Sequence, residues 1–288
     1  MRDKIISKAA IGVCGALGAL ADMKVPGFVL KPAIRAYSLG FQVNQNEASI
    51  PAEGFSCFGD FFARSLRDGA RSICDERNAF VSPCDGKIVA VQSIDSKSAD
   101  VFTVKGFNYS ITQLLGPAPM GASYEERFGG GQGMVIYLHP RDYHRVHVPA
   151  TVQLLEVRHI AGARFPVAPW SEERVSGIFQ RNERMVFHLK LGSGYLTMVM
   201  VAAFGVGHIA TPYAPPKGDH RTAVRVFDGS NSLHIGDEIG AFRLGSTVVM
   251  LWSKELLHLS PATGLGKILL GEKLGTLAHG NASAESLE

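Results

Sequence analysis

RMVFHLKLGSGYLTMVMVAAFGV, residues 184–206, holds two apolar runs on either side of Gly192-Ser193-Gly194. RMVFHLKL (184–191) and YLTMVMVAAFGV (195–206) are rich in β-branched and large apolar side chains, which suit a pleated, buried surface. Outward from this stretch the same texture recurs from residue 80 onward. GKIVAVQSI (86–94), MVIYLH (134–139), TVQLLEV (151–157), RTAVRVF (221–227) and STVVMLW (246–252) are all short β-like runs separated by glycine and proline. Strands at this spacing predict a mainly β body, barrel-like or sandwich-like. The first 40 residues read as helical, punctuated by Pro26 and Pro32, so the fold class is α+β with N-terminal helices. FSCFGDFFARSL (55–66) reads as a further helix, with Phe55, Phe58, Phe62 and Leu66 on one apolar face that packs in the core. No repeat of solenoid length is present. The tail from Leu277, LAHGNASAESLE, is polar and small, and is expected to fray.

The 288 residues suit one large domain or two small ones, and 46% apolar with 19% charged residues allows a sizeable core and excludes general disorder. A net charge of +3 argues against a nucleic-acid binder that works by bulk charge. Cys14, Cys57, Cys74 and Cys84 form no C-x-x-C pair, so they read as free thiols. Charge is uneven, because residues 1–40 carry six basic and two acidic groups, a net of +4. Their longest uncharged apolar run, Ala9 to Ala21, has thirteen residues. A membrane-spanning helix needs about twenty. Gly12, Gly15 and Gly18 dilute the run and Lys8 abuts it, so a helix in the membrane interface, or one packed on the body, fits better than a signal peptide.

Three segments can carry chemistry. In VSPCDGKIV (81–89), Asp85 sits in a turn before a strand, where aspartate is usually a turn residue. In YLHPRDYHRVHVPA (137–150), a strand ends near His139, Pro140 can open a helical turn, and Val148-Pro149 is extended. His144 and His147 then lie at the rim of the β body. With no Cys, Asp or Glu at a complementary position a metal reading is weak. Acid–base work is the alternative, and an ordinary loop-end histidine is the plain reading. In GDEIGAFRLGSTVVMLW (236–252), Gly245-Ser246 precedes a β-branched strand. It is not G-x-S-x-G, so no nucleophile elbow is indicated, and a glycine bulge is the structural reading. The chemical reading is that glycine leaves its carbonyl open to attack by the Ser246 hydroxyl, shifting the peptide to an ester whose elimination makes an N-terminal pyruvoyl group.

Taken together and in this order, the segments resemble the proenzymes of phosphatidylserine decarboxylase, bacterial membrane-associated type. Leu244-Gly245-Ser246-Thr247 resembles that family's self-cleavage motif, and Asp142-Tyr143-His144-Arg145-Val146-His147 and Ser82-Pro83-Cys84-Asp85-Gly86 its other two signatures. Phe61-Phe62-Ala63-Arg64-Ser65-Leu66 and Arg181-Asn182-Glu183-Arg184 agree as well, and the resemblance covers roughly residues 40–275. Departures include Cys84, where alanine is common, and Arg164-Phe165-Pro166-Val167-Ala168, where the family reads L-F-P-V-N.

The resemblance implies a pyruvoyl-dependent carboxy-lyase. Asp85, His147 and Ser246 would be its maturation triad. The cut between Gly245 and Ser246 would leave a chain of 1–245 and one of 246–288, a heterodimer that could dimerise further. The covalent pyruvoyl group from Ser246 would form a Schiff base with phosphatidylserine and release CO2 to give phosphatidylethanolamine, with His144 as proton donor or headgroup contact. No metal and no external cofactor are implied. The domain organisation expected is a membrane-associating segment 1–40, a decarboxylase domain 41–276 and a flexible tail 277–288. An anionic phospholipid surface is the expected partner, and the cytoplasmic side of the inner membrane the expected location. Two rival readings are a serine hydrolase using Ser246, His147 and Asp85 without self-cleavage, and a non-enzymatic lipid-binding β module.

Overall fold

The computed structural model describes residues 18–96, 101–104, 107–119, 123–165, 167, 177–203, 209–216, 222–243 and 246–278. Its framework is a large antiparallel sheet. The strands run in the order Thr222–Val226, Val152–Ile160, Arg184–Leu191, Gly194–Ala202, Ser246–Trp252, Gln132–Leu138, Gly86–Ser93 and Gly266–Ile268, and Ser232–Leu233 also pairs with Val152–Ile160. The runs 184–191 and 246–252 form strands with the bounds expected from sequence.

Ser246–Trp252 lies in the middle of this sheet. It pairs along its whole length with Gln132–Leu138 on one edge and Gly194–Ala202 on the other. Thr247 through Trp252 are all buried, which is why this strand reads as a continuous apolar run rather than an alternating one. One face is covered partly by the short helix Tyr124–Phe128, which packs on both this strand and Gly194–Ala202. The core joins Phe80, Phe187, Met198, Val249, Trp252 and Phe242.

Two small sheets flank the large one. Ile209–Ala210, Glu238–Phe242 and Arg145–His147 form the first, and Ala79–Val81, Lys273–Leu277 and Leu257–Leu259 the second. A further pair, Val101–Val104 and Phe107–Ser110, forms a two-stranded sheet of its own beside Gly86–Ser93. The sheets stay open, so the mainly β body is confirmed, while the barrel-like form is not: no closed barrel exists among the described residues.

The N-terminal layer is helical, as expected. Pro26 caps the helix Gly27–Phe41, and Pro32 lies inside it. Leu30 and Ile34 of this helix bury against Val43 and Phe61. Residues 1–17, which include Cys14, lie outside the described residues, whereas Cys57, Cys74 and Cys84 are free thiols.

Two expectations change. The helix expected over 55–66 spans only Phe58–Phe62. Cys57 is extended before it and Ala63 ends it, so the chain is free to run back and bridge Leu66 to Ala48. Five residues are too few for an apolar stripe, and the deepest rings are Phe61 and Phe62. Leu277 does not begin a frayed tail. It closes the strand Lys273–Leu277, is buried against Leu257, and is followed by Ala278 bonded to the Leu256 carbonyl. The tail from 279 lies outside the described residues.

Leu251 is fully buried in the central strand. Leu251→Ala in an uncut Ser246→Ala background is expected to lower unfolding free energy by about 2–5 kcal/mol, measured by urea titration with circular dichroism.

Candidate active site

The residues singled out by sequence collect at one end of the large sheet. Ser246 is the first residue of the central strand and stands across from Leu138 and Ala202. Leu138 ends its own strand, and the chain then turns through His139–Asp142 into Arg145–His147. Asp85 immediately precedes Gly86, which opens the strand on the far edge of Gln132–Leu138. Gly86 is required there because a Cβ would stand 2.6 Å from the Tyr137 carbonyl oxygen. Leu244 and Gly245 lie outside the described residues, and of Ser246 the backbone alone is described.

The turn carrying the histidines is held from the N-terminal layer. Tyr37 donates its hydroxyl hydrogen to the Pro140 carbonyl at 3.1 Å. Arg64 Nη2 donates to the carbonyls of Arg141 at 3.1 Å and Asp142 at 3.3 Å. Asp142 accepts the His139 backbone N–H at 2.7 Å, which closes the turn. The Phe62 ring packs 4.1 Å from the His144 imidazole, centroid to centroid.

His144 is fully buried. Its Nδ1–H donates to the Asp142 carbonyl at 2.8 Å, so this hydrogen bond assigns the neutral tautomer with the lone pair on Nε2. That Nε2 has no hydrogen-bond partner among the described residues. Burial pushes the His144 pKa down to about 3, with the Arg64 guanidinium adding to the effect. The His144 carbonyl accepts the Phe242 N–H at 2.9 Å, which seats it four residues upstream of Ser246.

His147 is held differently. Its Nδ1–H donates to the Gly236 carbonyl at 2.7 Å, and its Nε2 accepts from the Tyr143 hydroxyl at 3.0 Å. Burial lowers its pKa. Its backbone N–H donates to the Pro83 carbonyl at 2.8 Å, which lays the 81–85 segment alongside it.

Asp85 is buried, and its carboxylate is taken by other groups. Arg71 donates through Nε to Oδ1 at 3.0 Å and through Nη2 to Oδ2 at 2.5 Å, and the Leu270 N–H donates to Oδ1 at 2.9 Å. Arg71 also reaches Glu47 at 2.9 Å, and its pKa is raised chiefly by the Asp85 hydrogen bonds. The structure therefore brings Asp85, His144, His147 and Ser246 to one locality. The hydrogen bonds of Asp85 go to Arg71 and Leu270, and those of His147 to Gly236 and Tyr143. Sequence reasoning passed over Arg71, Tyr143 and the buried Arg64. Tyr143 and Arg64 lay inside quoted motifs, whereas Arg71 carried no sequence signal.

A cleft of about 840 Å³ opens between the N-terminal layer and the sheet Ile209–Ala210, Glu238–Phe242, Arg145–His147. Lys24, Phe55, Arg145, Ala241 and Arg243 are among the residues on its walls.

A family model for phosphatidylserine decarboxylase matches residues 58–276. The chain belongs to the phosphatidylserine decarboxylase family. It is 38% identical over 254 residues to the phosphatidylserine decarboxylase proenzyme of Shewanella halifaxensis, covering 84% of this chain and 85% of that one. It is 35% identical over 275 residues to that of Hahella chejuensis, with 94% and 91% covered. It is also 35% identical over 281 residues to that of Dechloromonas aromatica, with 96% of each chain covered. The carboxy-lyase activity and the pyruvoyl group expected from the sequence are those of this family. The group requires a serine whose backbone is held in place, and Ser246, hydrogen-bonded into the ladder on both edges at the strand start, fits that requirement.

Acid should act on this locality through His144. Its folded-state pKa of about 3 lies below the ordinary 6.5, so the unfolded chain takes the proton first. Stability conferred by the neutral form is complete above about 6.5 and is lost as pH falls towards 3. His144→Gln in the uncut Ser246→Ala background should remove about one proton, or about 1.4 kcal/mol per pH unit, from the acid slope of stability. Urea titrations from pH 7 to pH 4.5 measure it.

Proposed function

We propose that this chain cuts itself between Gly245 and Ser246 and then decarboxylates phosphatidylserine at a membrane surface. The observation that carries the reading is the place of Ser246, first in the central strand at the end of the sheet where Asp85, His144 and His147 gather.

In maturation a base takes the Ser246 hydroxyl proton, and the oxygen attacks the Gly245 carbonyl carbon. The peptide C–N bond breaks, leaving an ester and a free Ser246 amine. Loss of the Ser246 α-proton then expels the Gly245 carboxylate. The resulting enamine tautomerises, takes up one water and releases ammonia. His147 is the proposed base, with its Nδ1–H held by the Gly236 carbonyl, and Asp85, held by Arg71 and the Leu270 N–H, is proposed to fix the adjoining 81–85 turn. His147 Nε2 already accepts from Tyr143, so the proton either displaces that hydroxyl or passes through it. A second reading exchanges the histidines, favoured by the unpartnered His144 Nε2 and the His144–Phe242 backbone bond. The new chain of 246–288 stays seated by its ladders on both edges.

In turnover the pyruvoyl group supplies a ketone that condenses with the substrate amine and a second carbonyl that accepts the electron pair left by departing CO2. His144 is the proposed proton carrier, because its neutral Nε2 is free of any partner among the described residues. The cleft whose walls carry Lys24 and Arg145, with Glu238 paired to Arg145, is the proposed place for the zwitterionic part of the headgroup.

The N-terminal layer is the proposed membrane contact, on the cytoplasmic side of the inner membrane. Leu20, Met23, Phe28, Val29 and Leu39 are exposed, with Phe28 81% exposed, and Lys24, Lys31 and Arg35 are exposed among them. No helix among the described residues is long and apolar enough to cross a membrane, so the contact proposed is interfacial.

Under denaturing conditions a mass spectrum should show two pieces, 1–245 and 246–288, and Ser246→Ala should give one 31.0 kDa chain. His147→Ala should stop the cut, while His144→Ala should cut at least partly yet decarboxylate poorly. The opposite pattern assigns the base role to His144. A wild-type protein that is fully active while uncut ends the reading.

Membrane contact is checked by vesicle co-sedimentation. Phe28→Ser with Leu39→Ser should weaken binding to anionic vesicles by tenfold or more, and high salt should weaken the wild type without abolishing binding. Each basic residue contributes on the order of 1 kcal/mol and is screened, whereas apolar burial is not. Unchanged binding by the double variant would place the contact elsewhere.

A further inference from the structure

Arg243 ends the segment that leads into the reactive bond, and its guanidinium is held at two points. Nη1 donates to Asp22 Oδ1 at 2.7 Å, and Nη2 donates to Asp60 Oδ1 at 2.8 Å. Asp22 lies at the end of the helical turn 18–22, and Asp60 in the helix Phe58–Phe62. The second carboxylate oxygen of Asp60 accepts from Ser56 at 2.7 Å, so the acceptor is itself fixed. Gly59 makes room for the junction. A Cβ there would collide with Asp22 Oδ1 and stand 3.3 Å from Arg243 Nη1.

The topology explains why this place matters. Glu238–Phe242 belongs to a small sheet, bonded to Arg145–His147 and Ile209–Ala210. Ser246–Trp252 belongs to the large sheet. The chain therefore passes from one sheet to the other within residues 243–245. Downstream, Ser246 is set by ladder partners on both edges. Upstream, Phe242 is bonded to His144, and Arg243 is set by its two ion pairs. Only Leu244 and Gly245 separate the two anchored ends. Anchoring the two described ends limits where the bond between them can lie, which favours alignment for attack.

We propose that Arg243 is a positioning residue for maturation, fixing the upstream flank of the Gly245–Ser246 bond through Asp22 and Asp60. The proposal rests on the self-cleavage reading above. Arg243 is assigned no part in moving the proton or breaking the bond. Its role is to hold the peptide where the Ser246 hydroxyl attacks it.

The test follows the cut in freshly synthesised full chain by gel and intact mass. Arg243→Met should slow the cut by tenfold or more. Arg243→Lys, with one ammonium for two carboxylates, should recover part of the rate, and Asp60→Asn should slow it less than Arg243→Met. A purely structural role is separated by two further readings. In the uncut Ser246→Ala background, Arg243→Met should leave the urea midpoint close to that of the parent. Hydroxylamine at neutral pH cuts the ester, leaving a Gly245 hydroxamate and a 246–288 piece with an intact serine amine. Arg243→Met should yield less of this piece than wild type sampled at the same extent of maturation, because the shift to the ester is the impaired step. Should Arg243→Met fail to fold, Asp60→Asn and Gly59→Ala carry the same comparisons. A wild-type rate in Arg243→Met overturns the proposal, and so does a slowed cut that follows only a fallen midpoint with no recovery by lysine. If the wild-type chain itself stays uncut, the self-cleavage reading fails first. If wild type is cut and Arg243→Met is cut equally fast, the clamp alone fails.

Discussion

The central strand Ser246–Trp252 is hydrogen-bonded along both edges, and the rest of the site is arranged around that fact. A strand in this position cannot slip by one residue without turning every buried side chain to the other face. Ser246 is therefore held in register by six residues of apolar ladder behind it. The preceding strand, Glu238–Phe242, is held in another sheet, between Ile209–Ala210 and Arg145–His147. The short passage between them carries Gly245, so the two strands set the ends from which it departs and to which it returns.

The N-terminal layer is part of the same construction. Tyr37, Phe62 and Arg64 hold the turn that carries His144, and Asp22 and Asp60 hold Arg243. Arg64 is buried with Nε and Nη1 unpartnered, although its guanidinium lies 5.4 Å from the Phe61 ring centre. Leaving donors unpaired in the interior costs free energy, and packing of the whole layer must offset it. The segment with exposed apolar side chains is thus tied directly to the histidine turn and to Arg243, upstream of the reactive serine.

Charge is distributed with the same economy. Asp85 is buried, and Arg71 with the Leu270 N–H satisfies it, so its carboxylate is not left alone in the interior. Glu47 shares Arg71 from the solvent side. The two histidines are kept neutral by burial and hydrogen-bonded so that Nδ1 carries the proton in each. They differ at Nε2, which is engaged by Tyr143 in His147 and has no partner among the described residues in His144. That difference gives two similar side chains distinct capacities for proton transfer.

Much of this was legible in the chain itself. Strand texture is local, so 184–191 and 246–252 could be read to the residue, and the three motif segments could be picked out by their unusual residue pairs. The helix at 55–66 was misjudged because periodicity shows which residues could share a face, and says nothing of where the chain must leave to meet Ala48. Leu277 looked like the start of a polar tail because its partner, Leu257, lies twenty residues away. The partners of Asp85, His147 and Arg243 were invisible for the same reason. Arg71, Tyr143, Asp22 and Asp60 become neighbours only when separate sheets and the helical layer pack together. Sequence determined which groups are available for chemistry, since that depends on residue type and local spacing. Tertiary structure alone decided their pairings, tautomers and anchorage, since hydrogen bonds and ion pairs depend on distances between segments far apart in the chain.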